Sequence, residues 1–183
     1  MISQMIGVGK AHAKIILVGE HAVVYNQPAI AIPLTNLTVT TTIQPAFVGQ
    51  TIESNTFHGG LDELGANVEG LRQLILRLIT HFQLQKAPFT IEIDTNIPQE
   101  RGFGASAAFA TSITKAFFDF ANAPLSPEQL KYFTDLEESI SHGSASGLDA
   151  ATVNSTDPIW FVKNDLPTPF KMSLTGTLLF ADT

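Results

Sequence analysis

The chain has 183 residues, enough to bury a core of its own, and no cysteine, so disulfides and thiolate metal sites are excluded. Ten basic against 17 acidic side chains give a formal net charge of −7; no Lys/Arg cluster is present to neutralise a phosphate backbone, which argues against nucleic acid as a partner. Only 15% of residues are charged against about 25% in an ordinary soluble domain. No apolar run reaches the roughly 18 residues of a membrane span, and Met1-Ile2-Ser3-Gln4 has no secretory pattern, so the expectation is a cytoplasmic chain without a membrane partner.

The run Ile15 to Val18 predicts a buried strand closed by Gly19. Ala22-Val23-Val24 and Ala29 to Ile32 suggest further strand, with Asn26-Gln27-Pro28 as the turn. Leu37 to Ile43 predicts a Thr-rich strand with one half-exposed face. Phe47 to Gly65 is polar and glycine-rich, a long loop or an irregular hairpin. Asn67 reads as a helix N-cap before Val68, Leu71, Ile75, Leu78 and Phe82, which are spaced as one apolar helix face. Pro88 opens a strand in which Phe89, Ile91 and Ile93 alternate with Thr90, Glu92 and Asp94. Ile113, Ala116, Phe117 and Phe120 share the face of a second helix. Ser126-Pro127-Glu128-Gln129 predicts a capping box; Leu130, Phe133, Leu136 and Ile140 form the buried stripe of the helix it starts, which ends near His142-Gly143. Ile159 to Val162 and Thr177 to Ala181 predict two more strands. Strands first and helices interspersed later indicate an α+β fold, a mixed sheet packed with helices.

Between the strand at 89–94 and the helix after it lies N-I-P-Q-E-R-G-F-G-A-S-A-A, residues 96–108. Gly102 and Gly104 let the backbone take positive φ and approach a ligand closely. The first N–H groups of the helix have no intrahelical acceptor, so strand, glycine loop and helix start together make an anion site. Ser106 stands at the helix start with a hydroxyl for a phosphate or a metal ion. No Lys follows the second glycine, which excludes a Walker A loop, and the third glycine of a dinucleotide fingerprint is absent. A plain strand-to-helix turn is the alternative.

Two further segments carry chemistry. In E-S-I-S-H-G-S-A-S-G-L-D, residues 138–149, two carboxylates flank a small-residue loop. One can ligate Mg²⁺ through oxygen and the other can orient or deprotonate a hydroxyl. The plainer readings are a solvated helix face for Glu138, with Glu137 beside it, and an N-cap for Asp149. Lys14, just before Ile15, either snorkels from a strand end or pairs with Asp149. His21 is a core imidazole or a substrate contact.

Taken together, these segments resemble the superfamily of galactokinases, homoserine kinases, mevalonate kinases and phosphomevalonate kinases. K-I-I-L-V-G-E-H-A-V-V-Y at 14–25, followed by P-A-I-A at 28–31, is similar to the N-terminal motif of the mevalonate kinase family. I-P-Q-E-R-G-F-G-A-S-A-A at 97–108 resembles its phosphate loop, and E-x-x-x-H-G-x-x-S-G-x-D at 138–149 its metal-ligand and aspartate segment. The resemblance implies a kinase that moves the γ-phosphate of ATP, with Mg²⁺, to the primary hydroxyl of mevalonate. It implies catalytic roles for Asp149 and Lys14, mevalonate contacts at Glu20 and His21, and Mg²⁺ ligation by Ser106 and Glu138. It places Arg101, Gly102, Phe103, Gly104, Ala105, Ser106 and Ala107 around the ATP phosphates. Ala105 stands where the family usually has a first serine, Phe103 where leucine is usual, and Asn26 for a common glycine.

The resemblance further implies that 1–183 is the N-terminal lobe of a two-lobed kinase whose C-terminal lobe lies outside this chain. Self-association, or association with that lobe, and slow turnover of the chain alone are the corresponding expectations. A phosphomevalonate or sugar kinase of the same superfamily, or a non-catalytic fragment that holds ATP or substrate, are the alternatives.

Overall fold

The structure is a computed structural model that describes residues 5–98, 102–143, 145–173 and 175–176. Among these, seven strands form one mixed sheet. Strand β1, Gly7–Val18, runs antiparallel to β2, Ala29–Pro45. The hairpin of β3, Gln50–Ser54, and β4, His58–Gly60, adds through a parallel pairing of β3 with β5, Phe89–Thr95, which itself lies antiparallel to β2. At the other end of β2, β6, Ile159–Phe161, and then β7, Thr168–Pro169, complete the sheet. Helix α1 is Glu69–His81, α2 Ala105–Phe120, α3 Pro127–His142 and α4 Leu148–Thr152. The α+β class with a mixed sheet is therefore the observed fold. No helix among the described residues is long and apolar enough to cross a membrane.

Several elements differ from the sequence-based expectation. Ala22-Val23-Val24 is not strand: Val23–Tyr25 is a 3-10 turn, closed by N–H groups of Ala22 and Val23 on the Gly19 carbonyl and ended by Asn26 at φ +59°. The segments at 29–32 and 37–43 are the two ends of one 17-residue strand. Its register against β1 slips between His12, opposite Thr38, and Ala13, opposite Leu34, which leaves residues 35–37 as a bulge. Residues 47–65 resolve into the β3–β4 hairpin and a following turn. Asn67 sits inside a 3-10 turn, Ala66–Val68, so Val68 and not Asn67 precedes α1. On α3 the capping box forms as expected, Gln129 N–H to Ser126 Oγ at 3.2 Å and Ser126 N–H to Gln129 Oε1 at 2.9 Å. Its buried face is instead Phe133, Thr134 and Glu137, while Ile140 is exposed. The strand expected at 177–181 lies outside the described residues.

Close packing of α2 on β1 explains the glycines at the chain start. A Cβ on Gly7 would run into the Ala116 carbonyl, and one on Gly9 into the Ser112 carbonyl. Ala11 and Ala13 continue that buried face, against Ala107, Ala108 and Val39. A second apolar cluster gathers Val23, Ala29, Ala31, Leu148 and Ile159. Lys14 follows Ala13 of the first cluster, and Asp149 follows Leu148 of the second, so the two charges meet where the clusters adjoin.

Candidate active site

The glycine loop is fastened at both ends. Before it, Asn96 grips the bulge of β2, accepting from Thr38 N–H at 2.6 Å and donating to the Asn36 carbonyl at 3.1 Å. Within it, the backbone N–H of Lys14 donates to the Phe103 carbonyl at 3.0 Å. Gly102 and Gly104 take φ of +71° and +68°, the left-handed region that favours glycine. The first α2 hydrogen bond runs from Ala108 N–H to the Gly104 carbonyl at 3.0 Å. The N–H groups of Ala105, Ser106 and Ala107 are thus outside the helical ladder, at the positive end of a 16-residue helix.

Lys14 is 4% exposed. A buried ammonium requires a partner, and its Nζ lies 2.9 Å from Asp149 Oδ1, whose side chain is 30% exposed. Asp149 is the second residue of α4, whose start is set by the loop at 145–147. Glu138 holds that loop: Oε1 accepts from Ser146 N–H at 2.8 Å and Ser146 Oγ at 3.0 Å, and Oε2 accepts from Gly147 N–H at 3.3 Å. A carboxylate has about four lone-pair sites, so three such bonds leave room for a cation.

These groups face one another across a cleft of about 850 Å³. Lys14, Glu20, the residues from Gly102 to Ser106, Glu138 and Asp149 line it, with Ser146 and an apolar wall of Ile16, Val23, Val24 and Leu148. Ala107 is not in the lining; it is buried on the face of α2 that packs against Ala11, Ala13 and Val39. His21 is exposed and also outside the lining, so the core-imidazole reading does not describe it. Arg101 lies outside the described residues.

Glu137 departs from the solvated position expected of it. It is 2% exposed, and its Oε1 accepts from Ser106 Oγ at 2.5 Å and from Ser141 Oγ at 2.6 Å. Residue 137 lies one helical turn beyond Phe133 on the face that α3 buries, a placement the spacing allows without singling it out. A second cavity of about 490 Å³ opens behind Ser106, lined by Phe57, Leu71 and Phe109 with Ser54 and Asn55, and shares Ala105, Ser106 and Ser141 with the first.

A glycine loop at a helix start thus faces the lysine–aspartate pair across one cleft. Residues 71–155 match the GHMP kinases N terminal domain. It is 30% identical over 182 residues to mevalonate kinase of Aeropyrum pernix, covering 94% of this chain and 56% of that protein. It is 31% identical over 147 residues to mevalonate kinase of Methanothermobacter thermautotrophicus, covering 77% and 45%. Among solved structures, mevalonate kinase from methicillin-resistant Staphylococcus aureus superimposes with a TM-score of 0.70 at 32% identity over 92% of this chain and 56% of that one. The Methanococcus jannaschii enzyme gives a TM-score of 0.76 at 24% identity, a likeness of fold, over 93% and 57%. The chain spans about half the length of the curated relatives it matches.

Proposed function

We propose that this chain is the nucleotide- and acceptor-binding lobe of a kinase that transfers the γ-phosphate of ATP to the primary hydroxyl of mevalonate. The observation that carries the reading is the 2.9 Å Lys14–Asp149 pair in the same cleft as the loop from Gly102 to Ser106. Phosphoryl transfer asks a protein chiefly for positioning and charge stabilisation. The loop N–H groups and the α2 dipole would cradle the phosphates. Asp149, partly open to the cleft, would accept or orient the acceptor's hydroxyl proton. Lys14, anchored beneath the loop, would hold Asp149 in place and offset charge on the transferring group. The cavity behind Ser106, apolar with aromatic walls, would take the purine.

Among the described residues no cluster of three or more His, Cys, Asp or Glu side chains forms a closed metal cage. Ser106 and Glu138 instead supply two hard oxygen donors, which fits Mg²⁺ completing its shell with phosphate oxygens and water. When bound, Mg²⁺ would neutralise the triphosphate.

Mevalonate is favoured as acceptor by the names of the curated relatives and by the wall of Ile16, Val23, Val24 and Leu148. That wall suits an aliphatic skeleton better than the hydroxyl-rich ring of a sugar. The fold is shared with Lactococcus lactis galactokinase at 14% identity and with Streptococcus pneumoniae phosphomevalonate kinase at 18%, so those acceptors are the competing readings. The test is ADP release with Mg-ATP and a panel of mevalonate, phosphomevalonate, galactose and homoserine, alongside ATP binding on the same sample. Turnover is expected with mevalonate and with no other member of the panel, and is expected to be slow for this chain by itself. Turnover with another member of the panel would reassign the acceptor, and binding without any turnover would favour a non-catalytic role.

A further inference from the structure

Glu137 is a buried carboxylate to which the reading above gives no task. Ser106, to which it is hydrogen-bonded, lies on the wall shared by the two cavities, while Glu137 lines, of these two, the one behind Ser106. The Ser106 hydroxyl therefore points its O–H away from the Lys14–Asp149 cleft and donates to Glu137 Oε1 at 2.5 Å. A serine hydroxyl has one proton and two lone pairs. With the proton committed, only lone pairs are left to face the cleft. Ser106 can then ligate a cation but cannot donate to a phosphate oxygen.

The carboxylate is held in a built environment. Ser141, one turn further along α3, donates to the same oxygen at 2.6 Å. Helix α1 approaches at Gly70, where a Cβ would lie 2.8 Å from Glu137 Oε1 and closer still to Ser141 Oγ. Three helices thus converge on one acceptor atom.

We propose that Glu137 is a positioning residue: by accepting the Ser106 O–H hydrogen bond it fixes the hydroxyl as a lone-pair donor to the divalent cation that accompanies the nucleotide. The proposal rests on the ATP- and Mg²⁺-binding reading given above. It separates the roles of the two adjacent carboxylates. Glu138 faces the cleft and holds the loop before α4, whereas Glu137 acts through Ser106 from behind.

The experiment measures ATP affinity of the full chain by calorimetry, once with Mg²⁺ and once with EDTA, for the unsubstituted protein, Glu137→Met, Glu137→Gln, Ser106→Ala and the double variant of Ser106→Ala with Glu137→Met. Loss of such an outer-shell partner typically costs about tenfold or more in metal-dependent affinity. Glu137→Met, which leaves no oxygen to accept the Ser106 hydrogen bond, is expected to weaken Mg-ATP by about that factor and to leave ATP in EDTA within about twofold, whereas Glu137→Gln keeps an uncharged acceptor oxygen and should show a smaller loss of the same kind. In the Ser106→Ala background Glu137→Met is expected to have no further effect, because the group it acts through is gone. Replacing a buried carboxylate by an apolar side chain is a change that buried charged sites often tolerate, and the Gln variant, closest to Glu in shape, guards against misfolding of the Met one. Equal weakening with and without Mg²⁺, no weakening, or a tenfold effect that persists without the Ser106 hydroxyl would each overturn the proposal. If the unsubstituted chain binds no ATP, the nucleotide reading fails and this inference with it. If it binds and the Glu137 variants bind alike, only this inference fails.

Discussion

The Cβ atom that Gly104 lacks would lie 2.6 Å from Cε of Lys14 and 2.8 Å from its Cγ. The glycine thus serves two ends at once, a left-handed turn into α2 and a channel for the lysine stem that leads the ammonium to Asp149. At Gly102, also left-handed, a Cβ would meet nothing within 4 Å. Gly102→Ala should therefore carry only the backbone penalty of about 1–2 kcal/mol. Gly104→Ala should carry that penalty plus about 1 kcal/mol or more for displacing Lys14. Urea midpoints of the two variants measure the difference, and equal midpoints would mean that the lysine stem moves aside freely.

Asp149→Asn should remove about 10²–10⁴-fold or more of the turnover with ATP affinity changed only a few-fold, because it deletes the proton acceptor and weakens the lysine pairing without touching the phosphate loop. It should also cost stability, since Lys14 is left buried without a charged partner. The loss should fall below the about 3–5 kcal/mol of a fully buried pair, because the Asp149 side chain is 30% exposed. A variant with near-normal kcat, in a preparation whose unsubstituted form is active, would take Asp149 out of the mechanism.

What could be read in the sequence was what chain neighbours decide. The glycine loop, the capping box at Ser126 and the strand-to-loop ends at Gly19 and Thr95 are local, because a turn, a cap or a φ is chosen by adjacent residues. What could not be read depends on partners far along the chain. Val23 and Val24 have strand-like side chains, yet the Gly19 carbonyl captures two N–H groups and winds them into a turn. The β3–β4 hairpin gains its order from the parallel pairing with β5, 39 residues on. The burial of Glu137 hinged on which side of α3 meets α1 and α2, a rotation of one residue from Leu136, and the 3.6-residue period of a helix does not fix that alone.

Ser106→Ala and Glu138→Gln should both raise the Mg²⁺ concentration needed for half-maximal ATP binding, and affect acceptor affinity less. Each removes or weakens one hard oxygen donor from a cation that keeps few protein ligands. They should differ in stability. Glu138 also holds Ser146 and Gly147 through three hydrogen bonds, so Glu138→Gln should melt lower than Ser106→Ala, since hydrogen bonds to a charged acceptor contribute about 1.5–3 kcal/mol each. Unchanged Mg²⁺ titrations in both variants would place the cation elsewhere.

Glu20 and His21 are adjacent in sequence and unlike in placement. Both are exposed, but Glu20 lines the cleft and His21 does not. Glu20→Gln is therefore expected to raise KM for mevalonate by about tenfold, the order of one lost hydrogen bond to a charged group, with KM for ATP unchanged. His21→Ala should leave stability within about 0.5 kcal/mol, as befits an exposed site, and should raise KM for mevalonate by less than the Glu20 change does. The family resemblance alone gives the two residues equal standing as acceptor contacts; the cleft ranks them. Melting curves and KM values for both variants decide between these. A larger KM effect from His21 than from Glu20 would mean that the acceptor extends past the cleft lining onto the turn at residues 20–22, and that the ranking drawn from the lining is wrong.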